Sequence, residues 1–458
     1  MNSMTRKMMY TLAAIVLGTL AAQSAFAKVS AEQAAQLGGD KLTCMGAERA
    51  GNADGSIPAY SGKWLGAAWP GATQNGYNPG PYADEKPLFT IDSDNLAQYA
   101  ERLTEGQKAL LKRYPKAFTM PVYASHRDFR YPDWVCDAVR KNATSAELVH
   151  DGLGFTGTTG GIPFPFPSDG LEAQTNMQNP HRAWTEQGIL DQFVVYPNGN
   201  RAPGRVVYKI LSVWNDPKHR GSNQDEVNSY FYSETLLPER DKGAITLGWT
   251  PNDNSIDRQA WFYSPGTRRV RQAPEFGFDT PQGAGGFRTV DDDRLFNGSP
   301  ERYDWQLLGK KEIYVPYDSF KQNDPAVRYD QLLPPSSVNP QYMRYELHRV
   351  WVLEATVKQG YRHIYAKRRF YVDEDSWHAL WVDNYDARGQ LWRASMVNYF
   401  YSPAIEGFQA GIAIYHDLTA NAYYVDRLVN ESKQWWQLNQ GGLSADMFSP
   451  DAASRHGH

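Results

Sequence analysis

Cysteine is scarce, with 2 in 458 residues, so neither a disulfide-dense scaffold nor a thiolate metal cluster can hold this chain together. HExxH, the Walker A loop, the GxSxG elbow and CxxC pairs are all missing, which removes the usual zinc-hydrolase, nucleotide-hydrolase, serine-esterase and thiol-redox signatures. Beyond the first residues no apolar run reaches the ~20 residues of a membrane-spanning helix. Positive charge is not in excess either. The formal net charge is −4, and it becomes −6 once Arg6 and Lys7 leave with the leader described below, so nucleic acid is excluded as a partner. Hydrophobic residues at 41% and charged residues at 21% rule out collagen, long disorder and a polytopic membrane protein.

Aromatic residues, by contrast, are abundant: 14 Trp, 28 Tyr and 19 Phe make up 13% of the chain. Tyr and Trp are good strand residues and mostly pack. At this density some are expected to line a cavity as well.

The chain opens with basic Arg6 and Lys7, an apolar stretch from Tyr10 to Ala22, and the small-x-small run Ala25-Phe26-Ala27. This is the pattern of a cleaved secretory leader, with cleavage between Ala27 and Lys28. No Cys stands just after the apolar run, so no lipid anchor is expected, and the product is predicted to be soluble in a Gram-negative periplasm. In that oxidising compartment Cys44 and Cys136 are expected to pair, closing a loop worth about 4 to 5 kcal/mol on the chain-entropy model.

Residues 28–90 are rich in turn formers, as in Gly51-Asn52-Ala53-Asp54-Gly55 and Asn75-Gly76-Tyr77-Asn78-Pro79-Gly80-Pro81, and predict a segment that wraps over a body built later. Helices are predicted over Asp92–Tyr114, with Thr104 and Gln107 as a capping box, and over 137–148 and 181–192. Strands are predicted at 205–214, 227–236, 244–250, 257–263, 268–273, 304–314, 343–357, 361–373, 377–385 and 390–401, with two more between 412 and 428. Ser264-Pro265-Gly266-Thr267, Lys358-Gln359-Gly360 and Asp386-Ala387-Arg388-Gly389 read as hairpin turns. Strands joined this way are antiparallel. The expected fold class is therefore mainly β with helices: one large curled antiparallel sheet, or unclosed barrel, over 201–458, with the wrapping segment and helices of 28–200 packed on it as one integrated domain.

Gly152-Leu153-Gly154-Phe155-Thr156-Gly157 matches GxGxxG, but Gly160-Gly161-Ile162-Pro163-Phe164-Pro165-Phe166-Pro167 follows and forbids the helix that a phosphate loop requires. The segment reads as a structured loop in which Phe164 and Phe166 plug an apolar opening. His348, His363 and His378 recur at a spacing of 15, which suggests a metal site. Hairpin arithmetic separates them, because a turn centred near Gln359 sets His348 opposite a residue near Phe370, and one near Asp375 sets His378 opposite a residue near Tyr371. Asp291-Asp292-Asp293 could bind a divalent cation, although a charged surface loop is the commoner meaning of such a run. No carboxylate pair with an acid/base division stands out.

The stretch Arg294-Leu295-Phe296-Asn297-Gly298-Ser299-Pro300-Glu301-Arg302-Tyr303-Asp304-Trp305, continued by Leu308-Gly309-Lys310-Lys311-Glu312, and the hairpin Trp261-Phe262-Tyr263-Ser264-Pro265-Gly266-Thr267-Arg268-Arg269-Val270-Arg271 resemble an exported Gram-negative family of unknown function. That family is in turn similar to the periplasmic lipoprotein-sorting carriers and receptors of the LolA/LolB-like fold. The resemblance implies an unclosed antiparallel barrel with a helical lid over an apolar cavity, a role in outer-membrane biogenesis, and a transporter partner of the resistance-nodulation-division type.

Together these readings predict a periplasmic carrier that shelters a lipid or other hydrophobic ligand, with no cofactor, no catalytic group and at most peripheral membrane contact. Candidate lining residues are Phe164, Phe166, Trp261, Trp351, Trp381 and Met396. An exported hydrolase or carbohydrate-binding protein is the alternative, and would require two carboxylates about 5 to 10 Å apart in an open cleft. A structural partner of an envelope transporter is the second alternative.

Overall fold

The computed structural model describes residues 29–63, 77–218, 227–273, 276–432 and 436–456; the leader, with Ala27 and Lys28, lies outside the described residues. No helix among them is long and apolar enough to cross a membrane.

The first meander comprises β1 (Thr185–Val195), β2 (Arg201–Ser212), β3 (Val227–Leu237), β4 (Ile245–Pro251), β5 (Gln259–Ser264) and β6 (Arg269–Gln272). The second comprises β7 (Tyr303–Pro316), β8 (Tyr345–Val357), β9 (Lys367–Asp373), β10 (Ala379–Tyr385), β11 (Leu391–Ser402), β12 (Gly407–Asp417) and β13 (Ala422–Leu428). Two of the three expected turns close hairpins, Arg269 pairing with Ser264 and Leu391 with Tyr385, whereas a longer connection replaces the one expected at Lys358-Gln359-Gly360. The strands lie within a 16-stranded sheet that does not close into a barrel. Its order is not one continuous meander. The last strand of the chain's second meander pairs with the first strand of the first, Tyr424 facing Val194 and Leu428 facing Asp191.

That seam corrects the helix expected over 181–192. Residues 185–195 form β1, which is bonded on both sides, by β13 and β2. A central strand covered on both faces shows no clean alternation, and its burial runs in blocks. Glu186, Asp191 and Gln192, which suggest the wet side of a helix, are buried.

Of the remaining helices, α1 (Glu105–Arg113) starts at Thr104, whose capping box with Gln107 forms as expected. The longer helix predicted from Asp92 breaks into Leu96–Tyr99 and a tight 3-10 turn, because Thr104 returns to extended backbone to serve as the cap. α2 (Asp133–Ser145) begins ahead of the predicted start, and α3 (Gly170–Gln178), capped by Asp169, carries no strong apolar stripe and was not anticipated. α4 (Pro450–His456) closes the chain.

Both faces of the second meander are covered. On one, Gly106 at the start of α1 donates its N–H to Asp383 at 3.0 Å, and the Gln107 side chain donates to the Tyr314 carbonyl at 2.7 Å. Gly106 must be glycine, since a Cβ there would stand 2.2 Å from the Asp383 carboxylate. On the other face an irregular strap over residues 281–297 crosses the sheet. Its carbonyls accept from Arg393 of β11 (Phe287, 2.8 Å), Tyr415 of β12 (Asp292, 2.9 Å) and Arg368 of β9 (Leu295, 2.7 Å).

Cys44 and Cys136 form the expected disulfide, joining residues 92 apart and fastening the turn-rich start to α2. Replacing both by Ser should lower unfolding free energy by about 4 kcal/mol. Urea melts of the double variant and of the oxidised and reduced parent measure this, and equal midpoints would contradict it.

Candidate functional site

Where the strap leaves the sheet, a cleft opens between its Asp293–Asn297 end, the C-terminal turn of α3, the edges of β3 and β4, and His378 and Tyr399 of the second meander. It encloses about 700 Å³, its open mouth included. Its wall is polar: Asn228, Ser229, Thr250 and Asn252 come from the first meander, and Arg182, Arg294 and His378 from the other side.

Behind the wall lies a buried charge network. Glu186 on β1 accepts from Arg294 of the strap at 2.6 Å, from Gln409 of β12 at 3.1 Å, and from Arg427 of β13. Arg288 holds Asp426 at 3.2 Å and Asp293 at 3.5 Å. Burial alone would raise the Glu186 carboxyl, but Arg427 and Arg294 pull it below the usual carboxylate range. Asp293 is likewise lowered against its burial, by Arg288 and Arg294. Arg182 differs from these arginines. Among the described residues it has no carboxylate ion-pair partner, its side chain donates to the Gln178 carbonyl, and its Nε–H finds no acceptor. Burial, then the neighbouring Arg294, pulls its pKa down to about 10. His378, 4% exposed, stacks on Tyr399 with ring centroids 4.3 Å apart. Burial first, then Arg182 and Arg294, holds it well below the usual histidine range, so the ring is neutral.

The acidic run is not a surface loop. Asp291 and Asp292 are buried in the strap, where Asp291 accepts from His363 at 3.1 Å and Asp292 from Tyr365 at 3.0 Å and Arg368 at 3.3 Å. Protein donors thus engage one oxygen of Asp291 and both oxygens of Asp292.

The histidines occupy separate places. His363 contacts the strap, and His378 the cleft. The β8–β9 register, Val350 with Asp373, corrects the expectation for His348. The connection is longer than a tight turn, so His348 sits beside Asp373 and Asp375 rather than opposite Phe370, with ligand atoms within 4.8 Å of one another. Arg127 takes both oxygens of Asp375 at 2.7 Å, so a guanidinium already stands at that cluster as its cation.

The six candidate lining residues are not gathered in one groove. Phe164 clusters with Phe155 and Trp214, and Phe166 packs half-buried on the main core. Trp261 leans on Trp249 near the C-terminal helix, with ring centroids 5.1 Å apart. Trp351 stacks on Trp377 at 5.7 Å, with Lys310 over its ring. Trp381 and Met396 are register partners, fully buried on the face that α1 covers. Sequence reasoning missed Arg182, Glu186 and Arg294. The arginine in the quoted Arg294–Trp305 stretch was a signal within reach, but nothing local marks a strand residue such as Glu186 as buried.

Removing one partner from a buried charge pair strands the other. Glu186→Gln should therefore cost about 3 to 5 kcal/mol at pH 7. Because the folded pKa of Glu186 is lowered, its contribution is present above the ordinary carboxylate pKa and disappears as pH falls through the folded value. Urea melts at pH 7 and pH 4 should show the deficit shrinking at the lower pH; a deficit independent of pH would contradict the assignment.

An uncharacterized protein of Pseudomonas aeruginosa, PA3922, is 39% identical over 460 residues, covering 99% of each chain. Similar solved structures include a Vibrio parahaemolyticus domain named for outer-membrane lipoprotein sorting (16% identity, 62% of this chain and 98% of that one, TM-score 0.43). A protein of the DUF1329 family from Desulfovibrio piger (15%, 59% and 92%, TM-score 0.39) and a LolA superfamily protein from Nitrosomonas europaea (14%, 61% and 96%, TM-score 0.34) are also similar. The model of DUF1329, a family of proteins of unknown function, matches residues 90–454, and the chain belongs to that family.

Proposed function

We propose that the protein is an exported periplasmic carrier that holds a lipid or other amphiphile against the open face of its first meander. One observation carries the reading: the two faces of that meander are treated differently. On one, Tyr232, Ile245, Leu247 and Tyr263 are buried under Phe448 and Ala453 of the C-terminal segment. On the other, Ile210, Phe231, Gly248 and Ala260 lie side by side in register, Phe262 stands two residues along from Ala260 on the same face, and Phe276 stacks on Phe231 with centroids 5.8 Å apart. Phe262 is 43% exposed there. Ser229 and Thr250, on that same open face, run into the polar cleft. An apolar platform ending in a polar cleft suits a molecule with a tail and a head, and needs no catalytic group.

Asp293 is the single carboxylate among the described residues lining the cleft, and Arg288 holds it. That favours binding over glycoside hydrolysis, which uses two carboxylates. The disulfide fits an oxidising compartment, and the LolA-like resemblance fits envelope lipid traffic, with an envelope transporter as the partner that would hand over or accept the cargo.

Delipidated protein should bind a fluorescent fatty-acid probe, and Phe231→Glu should weaken that binding at least tenfold while leaving the melting temperature near the parent's. A parent that neither binds the probe nor yields lipid on solvent extraction would sink the carrier reading. Protein recovered from the native periplasm should begin at Lys28 by N-terminal sequencing; an intact Met1 would contradict export by cleavage.

A further inference from the structure

Three observations at the cleft point to a ligand chemistry that none of the network's own groups supplies. The first is the charge count behind the wall. Arg182, Arg288, Arg294 and Arg427 face Glu186, Asp293 and Asp426, and the carboxylates are taken: Glu186 by Arg294 and Arg427, Asp293 and Asp426 by Arg288. Among the described residues Arg182 has no ion-pair partner. A guanidinium partly withdrawn from water without a paired counter-charge is unfavourable unless something else supplies an anion.

The second is an unmet donor. The Arg182 Nε–H is buried and has no acceptor among the described residues, while the residue lines the open cleft. A guanidinium presents its donors in a planar fork suited to carboxylate or phosphate oxygens.

The third is an unmet acceptor. His378 is 4% exposed, and its Nε2 has no partner among the described residues. The His181 backbone stands against the ring. In the tautomer protonated at Nδ1 the neutral ring offers an Nε2 lone pair. The nearby arginines disfavour protonating it, and the missing partner is an O–H donor.

We propose that the cleft binds an anionic group carrying an O–H, such as a phosphate monoester, with its anionic oxygen on Arg182 and its O–H donating to Nε2 of His378. A plain carboxylate would satisfy Arg182 and leave His378 unmet; a hydroxyl without charge would do the reverse. Asn228, Asn252 and Asn254 at the rim supply polar groups for the rest of a head. The inference names the head group of the proposed amphiphile, and so rests on the carrier reading for the tail alone. The same chemistry could arrive as a lipid head group or as a small free phosphate.

Calorimetric titration of the mature protein with inorganic phosphate, lysophosphatidic acid and the matching uncharged monoacylglycerol separates these cases. The parent should bind lysophosphatidic acid at least tenfold more tightly than monoacylglycerol. Arg182→Gln should remove that preference, with both probes binding within twofold of each other, whereas Arg182→Lys should keep part of it. Because Arg182 is an unpaired cation, Arg182→Gln should melt no lower than the parent, an outcome that a merely structural role for the residue would not give. Phosphate binding that is lost in Arg182→Gln, with neither amphiphile bound, would support the anion site and defeat the carrier reading. Equal binding of the two amphiphiles by the parent would overturn the head-group assignment and leave the carrier reading standing. A preference that survives in Arg182→Gln would overturn it as well.

Discussion

Glu186 is the group on which the arrangement turns. It sits on β1, the strand where the two meanders meet, and it binds Arg427 on the neighbouring β13, Gln409 on β12 and Arg294 on the strap. A single buried carboxylate thus ties the first meander to the second and the strap to both. Without compensation it would be protonated or expelled. Two guanidinium groups keep it charged in the interior, and the charge in turn fixes where those arginines, and the backbone carrying them, must lie.

The aromatic excess takes a different meaning in this light. The rings do not converge on a groove; many of them surround buried cations. Arg368 lies 5.5 Å from the Phe296 ring, 5.1 Å from Tyr365 and 5.0 Å from Phe370. Arg393 is placed similarly by Phe287, Tyr365 and Trp392, and Arg427 by Tyr208 and Trp436. A ring face is apolar enough to pack and negative enough to favour a guanidinium, so Tyr and Trp let the core accept charge that aliphatic side chains would reject. The Tyr hydroxyls add a second service. Tyr365 donates to Asp292, and Tyr317 to Asp373, each at 3.0 Å.

How much of this was legible in the sequence followed from how local the cause was. Hairpin turns, alternating strands and the Thr104–Gln107 capping box are set by neighbours in the chain, and the structure has them close to where the sequence puts them. β1 was misread because Glu186, Asp191 and Gln192 look solvent-facing until Arg294, Arg427 and Arg205 arrive from far away in the chain. The strap was misread for the same reason, since Asp291-Asp292-Asp293 carries no local sign that His363, Arg368 and Arg288 will enclose it. The register argument separated the histidines but misplaced His348, because it assumed a tight turn where a longer connection runs. The cleft was illegible because its parts come from α3, the strap and both meanders, and its informative features are bonds left unmade.

The sheet also shows where a binding site could be built at little structural cost. β12 is buried along its whole length, whereas β3 is half-buried at nearly every position. The strap fills the inner side of the second meander and engages Arg368, Arg393 and Tyr415 there, so that half is committed to holding the fold. The first meander has the C-terminal helix on one face, and the edge of its other face lines the cleft. Arg182 and His378 line the same cleft with bonding capacity that is unused among the described residues. Among the described residues, the Arg182 Nε–H and His378 Nε2 differ from the other unpartnered buried atoms in belonging to residues that line one cleft, where a partner from outside the chain can reach them.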